Sequence, residues 1–295
     1  MKRVVGLGGE SILLYGGDPY IDGKLLPHPA DLREDLRAPY RTWDLTAKTP
    51  EWKRETVGDV QVLAYDGPRL WSGGYDEHGR TFAPRDVPLR DVYAVLDGNR
   101  PDGSELAVEL AYVSPDDGSV SIRYELTADD RGVALRVATP QGVEREERIS
   151  QGPLRGDLRL ELAYVDGRVR VAATGVGLTV FDMEDAQRPR FGDVVRPRIR
   201  YGGRVGAQAR ASRFQLDKDH HYTLVGNRAV PPRESDEDPM TYAHAIPVGT
   251  VFLLGDNSYS SKDCRFDEVG DIGLDQLIGP VVFRIWPPLR IGGVR

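Results

Sequence analysis

Gly255-Asp256-Asn257-Ser258-Tyr259-Ser260-Ser261-Lys262-Asp263-Cys264-Arg265 packs one glycine, three serines, an asparagine, two aspartates, a lysine and an arginine into eleven residues. Hydroxyls, carboxylates and cationic side chains at this density put the chain's hydrogen-bonding groups in one place, a pattern that marks a site. The stretch follows the apolar run Val251-Phe252-Leu253-Leu254, so a strand delivers these groups into one loop. Loops held by a rigid scaffold are where functional side chains concentrate. Cys264 is the single cysteine, which excludes a disulfide framework and a cysteine-based metal site. With no histidine in its motif it reads as a passive small residue rather than a nucleophile. His220-His221, with His244 and nearby acids such as Asp219, invites a metal reading. Adjacent residues of a strand point to opposite faces, however, and no metal or other cofactor is expected.

These residues have to be positioned by a chain of 295 residues, long enough for about two domains. Hydrophobic residues at 40% and charged residues at 29% are ordinary for a globular protein. The 33 glycines and 21 prolines favour short strands joined by many turns. The net charge is -7 with the two signs interspersed, and no basic stripe suggests nucleic acid. No apolar run approaches the roughly 20 residues that span a bilayer, and the first ten residues lack the apolar segment of a signal peptide. Composition alone names no activity.

In chain order, Val4–Leu7 and Ser11–Tyr15 read as strands, and Tyr20-Ile21-Asp22-Gly23-Lys24 as a hairpin tip. Asp31–Leu36 suggests one or two helical turns. Residues 40–88 look irregular, with only Val60–Tyr65 alternating convincingly. Trp43, Trp52 and Trp71 in that stretch fit either a carbohydrate platform or partly buried packing, and packing is the commoner use. From Val92 to Leu216 strands recur at short spacing with Asp-Gly turns between them and no intervening helices, the pattern of a β-sandwich. Glu109-Leu110-Ala111-Tyr112-Val113 returns as Glu161-Leu162-Ala163-Tyr164-Val165, as expected for equivalent strands in opposite halves of a sandwich. Residues 227–245 read as an exposed connection, and Leu277–Trp286 as a closing strand stopped by Pro287-Pro288.

Lys2-Arg3-Val4-Val5-Gly6-Leu7-Gly8-Gly9-Glu10 resembles the motif of the bacterial type I signal peptidases (family S26) that carries their catalytic lysine. Gly255-Asp256-Asn257 with Ser261, Asp263 and Arg265 resembles the second signature of the same family. The flanks are similar too: Tyr20–Lys24 after the first motif, and Ile278-Gly279 through Arg290-Ile291-Gly292 at the end. The resemblance covers about residues 1–30 and 219–295. It implies a mostly β serine endopeptidase that removes signal peptides with a Ser–Lys dyad. On that reading Lys2 is the general base, which must be neutral to take a proton and so needs apolar cover. Ser261 orients its amine. Arg3, Asp256, Asp263 and Arg265 form the ion pairs that lock the loop to the first strand, Asn257 braces the turn, and Met1 lines the substrate pocket. Exported preproteins are the implied partners, and the implied location is the extracytoplasmic side of the bacterial cytoplasmic membrane.

The sequence departs from the family at Gly8 (usually proline), Glu10 (aspartate), Ser258 (arginine) and Cys264 (serine). The family's nucleophilic serine lies upstream of its lysine, in a Ser-x-x-Pro motif after a membrane anchor, whereas here one residue precedes Lys2. The expectation is therefore that the nucleophile and the anchor are absent from these residues and that the chain alone is inactive. A late or split reading frame and a truncated paralogue both fit. The expected fold is a partial signal-peptidase-like β domain formed by residues 1–40 and 219–295. Residues 41–218 interrupt it as an insertion, irregular at first and a concanavalin-like or laminin-G-like β-sandwich from about residue 90. The rival reading is a noncatalytic scaffold whose sandwich binds glycan or protein.

Overall fold

The computed structural model describes residues 2–15, 17–26, 37–68, 70, 74–75, 81–82, 89, 91–190, 192–203, 208–218, 226–231, 238–255, 261–280, 283–284 and 292–293. The described chain is mostly β and divides into two compact units. The smaller comprises Met1–Leu36, Gly73–Val87 and His221–Arg295; the larger comprises Arg37–Ser72 and Pro88–His220. Asp31–Leu36, Trp71 and His220-His221 fall outside the described residues, as do Met1, Asp256 and Asn257.

The larger unit is a sandwich of two antiparallel sheets. Its strands are β5 (Ala38–Asp44), β6 (Trp52–Val57), β7 (Val60–Tyr65), β10 (Val92–Arg100), β11 (Ser104–Val113), β12 (Val120–Asp129) and β13 (Gly132–Thr139). They continue with β14 (Gly142–Arg148), β15 (Gly156–Val165), β16 (Arg168–Ala173), β17 (Val176–Asp182), β18 (Val194–Gly203) and β19 (Arg210–Lys218). One sheet runs β17-β16-β15-β10-β19-β5 and the other β14-β13-β12-β11-β18-β7-β6. Every second side chain of β10 (Val92, Ala94, Leu96) and of β11 (Leu106, Val108, Leu110, Tyr112) enters one core, the period-two pattern of a sheet with a buried face. The two Glu-Leu-Ala-Tyr-Val copies lie on β11 and β15, in opposite sheets, and their tyrosines meet edge to face at 5.6 Å. Asp166 and Gly167 both take positive φ (53° and 69°) at the β15–β16 turn, as a two-residue hairpin requires.

The sandwich begins earlier than its sequence pattern suggests. Residues 40–65, read as largely irregular, supply β5, β6 and β7. β5 and β6 each lie at the border of a sheet, and in β6 only Trp52 is buried while the next five residues are exposed. Such a strand shows no apolar alternation to read. Trp43 and Trp52 belong to the core, packed on Phe214 with ring centroids 5.6 and 5.4 Å away, which is the packing role. The opposite borders are blunted differently. β14 carries Glu144, Arg145, Glu146, Glu147 and Arg148, charges that discourage further strand pairing.

The smaller unit holds β1 (Lys2–Leu7), β2 (Ser11–Tyr15), β3 (Asp18–Ile21), β4 (Lys24–Leu25), β8 (Gly74–Tyr75), β9 (Thr81–Phe82) and β20 (His244–Ala245). It also holds β21 (Thr250–Gly255), β22 (Ile272–Gly273), β23 (Phe283–Arg284) and β24 (Gly292–Gly293). β1, β21 and β22 form one sheet, and β20, β2, β3 and β4 another. Ile12, Leu14, Ile246, Phe252, Leu254 and Cys264 contribute to its compact core. The closing strand expected over Leu277–Trp286 is not continuous. Leu277–Pro280 is exposed coil, and β23 contains only Phe283 and Arg284. Pro280 has no N–H to give to a strand ladder, which interrupts the run.

Candidate active site

The site is built where β1 lies antiparallel to β21. Their register sets Lys2 opposite Gly255 and Arg3 opposite Leu254. The apolar residues of β21 alternate into the small core, so the strand is fixed, and its last residue releases the chain into the polar loop. The loop then folds back over the strand end. Cys264 N–H donates to the Leu253 carbonyl at 3.1 Å, and Leu253 N–H donates to Cys264 Sγ at 3.1 Å. The thiol is fully buried, and burial pushes its ionisation up, so it serves the fold rather than nucleophilic chemistry.

Two buried charges hold this return. Arg265 Nε and Nη2 donate to Asp263 Oδ1 and Oδ2 at 2.8 and 2.9 Å, a fork-to-fork pair with both side chains removed from water. Gly255 N–H donates to Asp263 Oδ2 at 3.0 Å, tying the pair to the end of β21. Burial raises the tendency of Asp263 to stay protonated, but the Arg265 guanidinium and the Gly255 N–H outweigh it. The carboxyl is held below its ordinary range. Arg265 Nη2 also reaches the Ser261 carbonyl at 3.5 Å.

The consequence is the placement of Ser261. Lys2 Nζ donates to Ser261 Oγ and to the Lys262 carbonyl. The carbonyl can only accept, so it fixes one amine N–H. A serine hydroxyl can accept from the amine or donate to its lone pair. This arrangement aims a lysine amine in a set direction, which is what a general base requires. Lys2 is exposed, so the described residues do not supply the apolar cover expected of a neutral lysine. Among the described residues Arg265 pairs with Asp263 within the loop, and Lys2 ties β1 to the loop.

One contributor was not singled out from sequence. A Cβ on Gly255 would lie 1.9 Å from Ser261 Oγ, 2.5 Å from Ser261 Cβ and 3.2 Å from Lys2 Nζ. No residue with a side chain fits there unless the loop moves. A glycine ending an apolar strand beside a polar loop was the available signal. Ser150-Gln151-Gly152-Pro153 has Ser-x-x-Pro spacing, but Ser150 Oγ accepts from Val133 N–H at 3.0 Å and serves the sandwich.

A second polar group lies in the smaller unit. Arg228 Nη2 donates to Asp271 Oδ2 at 2.5 Å and approaches His244 Nε2 at 2.7 Å; that nitrogen is 3.0 Å from the same carboxylate oxygen. His244 therefore belongs to an ion-pair cluster. Among the described residues no group of histidine, cysteine and acidic side chains has the makings of a metal site.

A family model described as "Signal peptidase, peptidase S26" matches residues 167–286. The match takes in Ser261, Asp263 and Arg265 together with the last strands of the sandwich. The chain is 34% identical over 71 residues to thylakoidal processing peptidase 1 of Arabidopsis thaliana, covering 23% of this chain and 20% of that one. It is 45% identical over 42 residues to signal peptidase I of Bacillus caldolyticus, covering 14% and 22%. These matches support a relationship to the S26 signal peptidases, a serine-peptidase family, and they span about a fifth of the length of those relatives. Among solved structures, the CBM2 module of the evolved Dit of Lactobacillus casei BL23 phage J-1 aligns with 54% of this chain and 69% of its own. Its TM-score is 0.33 and its identity 7%. Chicken galectin 2 aligns with 44% and 94%, at a TM-score of 0.32 and 8% identity. Both likenesses are too slight to carry an assignment.

Proposed function

We propose that the smaller unit is the lysine-bearing part of a signal-peptidase-type serine endopeptidase acting on the signal-peptide region of exported preproteins. One observation carries this reading: Lys2 Nζ is held by Ser261 Oγ and the Lys262 carbonyl, on a loop anchored by the buried Asp263–Arg265 pair. Lys2 is the general base that takes the proton of an attacking serine and later returns one to the leaving amine. Ser261 directs the amine, with Arg265, Asp263 and Gly255 as its positioning residues. Arg3, Asp256 and Asn257 support the loop from positions given by resemblance, and Met1 borders the substrate pocket. The attacking serine and the membrane anchor belong to a segment N-terminal to Lys2, and the larger unit is inserted between the two parts of the peptidase unit. Activity on the outer face of the bacterial cytoplasmic membrane follows from the same resemblance.

The test uses the coding sequence immediately upstream of Met1. It is expected to contain, in frame, an apolar anchor followed by Ser-x-x-Pro. Protein made from the extended frame is then expected to cleave a signal-peptide substrate, while the 295-residue chain does not. An extended protein that is inert toward such substrates would reject the proposal.

A further inference from the structure

The larger unit contains a groove of about 860 Å³ that the peptidase reading does not use. It lies where Leu45, Leu158 and Ala211 meet the half-buried ring of Tyr201, which gives it an apolar floor. Arg54, Arg210, Asp97 and Asp157 stand around that floor. A concave apolar surface with a few convergent polar groups is the ordinary form of a small-molecule site, and the volume is within the usual range.

The charges around the groove are unevenly spent. Arg159, also on the rim, is neutralised by Asp97 at 3.3 Å and Glu161 at 2.9 Å. Arg54 donates only to the carbonyls of Leu45 and Ala47, at 2.7 and 3.1 Å, and meets no carboxylate among the described residues. Arg210 is exposed and makes no hydrogen bond or ion pair among the described residues. Two guanidiniums with unused donors therefore border one groove, and each is a planar fork suited to a carboxylate. Acceptors remain as well. Asp157 accepts from Asn99 through Oδ1 at 2.9 Å and Asp97 from Arg159 through Oδ1 at 3.3 Å, which leaves Oδ2 of each open among the described residues. An aliphatic acid would leave these acceptors unmatched.

We propose that this groove binds an acidic saccharide. Its carboxylate is taken by Arg210 and Arg54, its hydroxyls donate to Asp97 and Asp157, and the apolar face of the ring rests on the half-buried Tyr201. The site is built entirely within the larger unit, so its failure would leave the peptidase reading untouched. The test is calorimetric titration of the full chain with trigalacturonate and sialyllactose, beside neutral maltotriose and the aliphatic acid octanoate. At least one acidic saccharide is expected to bind ten times more tightly than both comparators. Arg210→Ala is expected to weaken that binding tenfold or more with no change in unfolding midpoint, because the Arg210 side chain is exposed and has no partner among the described residues. The proposal is overturned if neither acidic saccharide binds, if maltotriose or octanoate binds comparably, or if Arg210→Ala changes affinity by less than tenfold.

Discussion

The two units differ in their described cores. Among the described residues the sandwich buries 34 apolar residues in one cluster, including Trp43, Trp52, Phe214 and four tyrosines, whereas the smaller unit buries seven. The smaller unit also buries an ion pair, Asp263–Arg265, placed where it sets the candidate site. Replacing a ring of the aromatic cluster is a packing problem, whereas replacing Asp263 is an electrostatic one that carries to the loop holding Lys2.

The largest expected effects come from breaking each unit by its own device. Asp263→Ala removes the buried carboxylate that pairs with the fully buried Arg265 guanidinium and is expected to cost about 3–5 kcal/mol. Phe214→Ala is expected to cost about as much, 3–5 kcal/mol, by opening a cavity among the aromatic rings. Hydrogen exchange read separately over the two units should show each loss confined to its own unit. The acid response distinguishes them further. Asp263 has its carboxyl below the ordinary range in the folded protein, so its stabilisation is complete above the unfolded-state value. It is lost as pH falls below about 4 through the folded-state value. Asp263→Asn should flatten that acid limb in the smaller unit, and Phe214→Ala should leave it in place.

Gly255→Ala sharpens the comparison at intermediate size. Its Cβ would collide with Ser261, and overpacking of this kind costs about 1–3 kcal/mol. Denaturant unfolding should show that loss in the smaller unit. Amide shifts in residues 261–265 should move with it.

Ser261→Ala is the mildest change. It removes one side-chain hydrogen bond at a partly exposed position, worth about 0.5–1.5 kcal/mol. The unfolding midpoint should barely move, while the Lys2 side-chain NMR signals, narrowly dispersed in the parent, should broaden into several conformers. A parent in which those signals already show free rotamer averaging would deny the loop its positioning role.

Much of this was legible in the residues. Asp22-Gly23 and Asp166-Gly167 located hairpins because those residue types tolerate positive φ. Asp97-Gly98, also read as a turn, lies inside β10. Alternation located β12, β13 and β15 because one face of each is buried. Lys2 and Ser261 were picked out by motif and stand within hydrogen-bond distance. β5 and β6 were not legible, because a border strand with a single buried residue has no period to read. The steric role of Gly255 exists only once the loop has folded back, which no local pattern encodes. The same holds for the partners of Arg265. The motif placed its charge at the site, but only the fold shows that it closes on Asp263 two residues away. Arg54 and Arg210 are distant in sequence and share a groove only through sheet order.

The most direct measurement is the cleavage rate of the upstream-extended protein on a signal-peptide substrate, for the parent, Lys2→Ala, Ser261→Ala and the double variant. Lys2→Ala is expected to abolish cleavage, Ser261→Ala to slow it roughly 10- to 100-fold, and the double variant to be no worse than Lys2→Ala, because residues acting as one unit are not additive. Cleavage that survives Lys2→Ala at the parent rate would contradict the account.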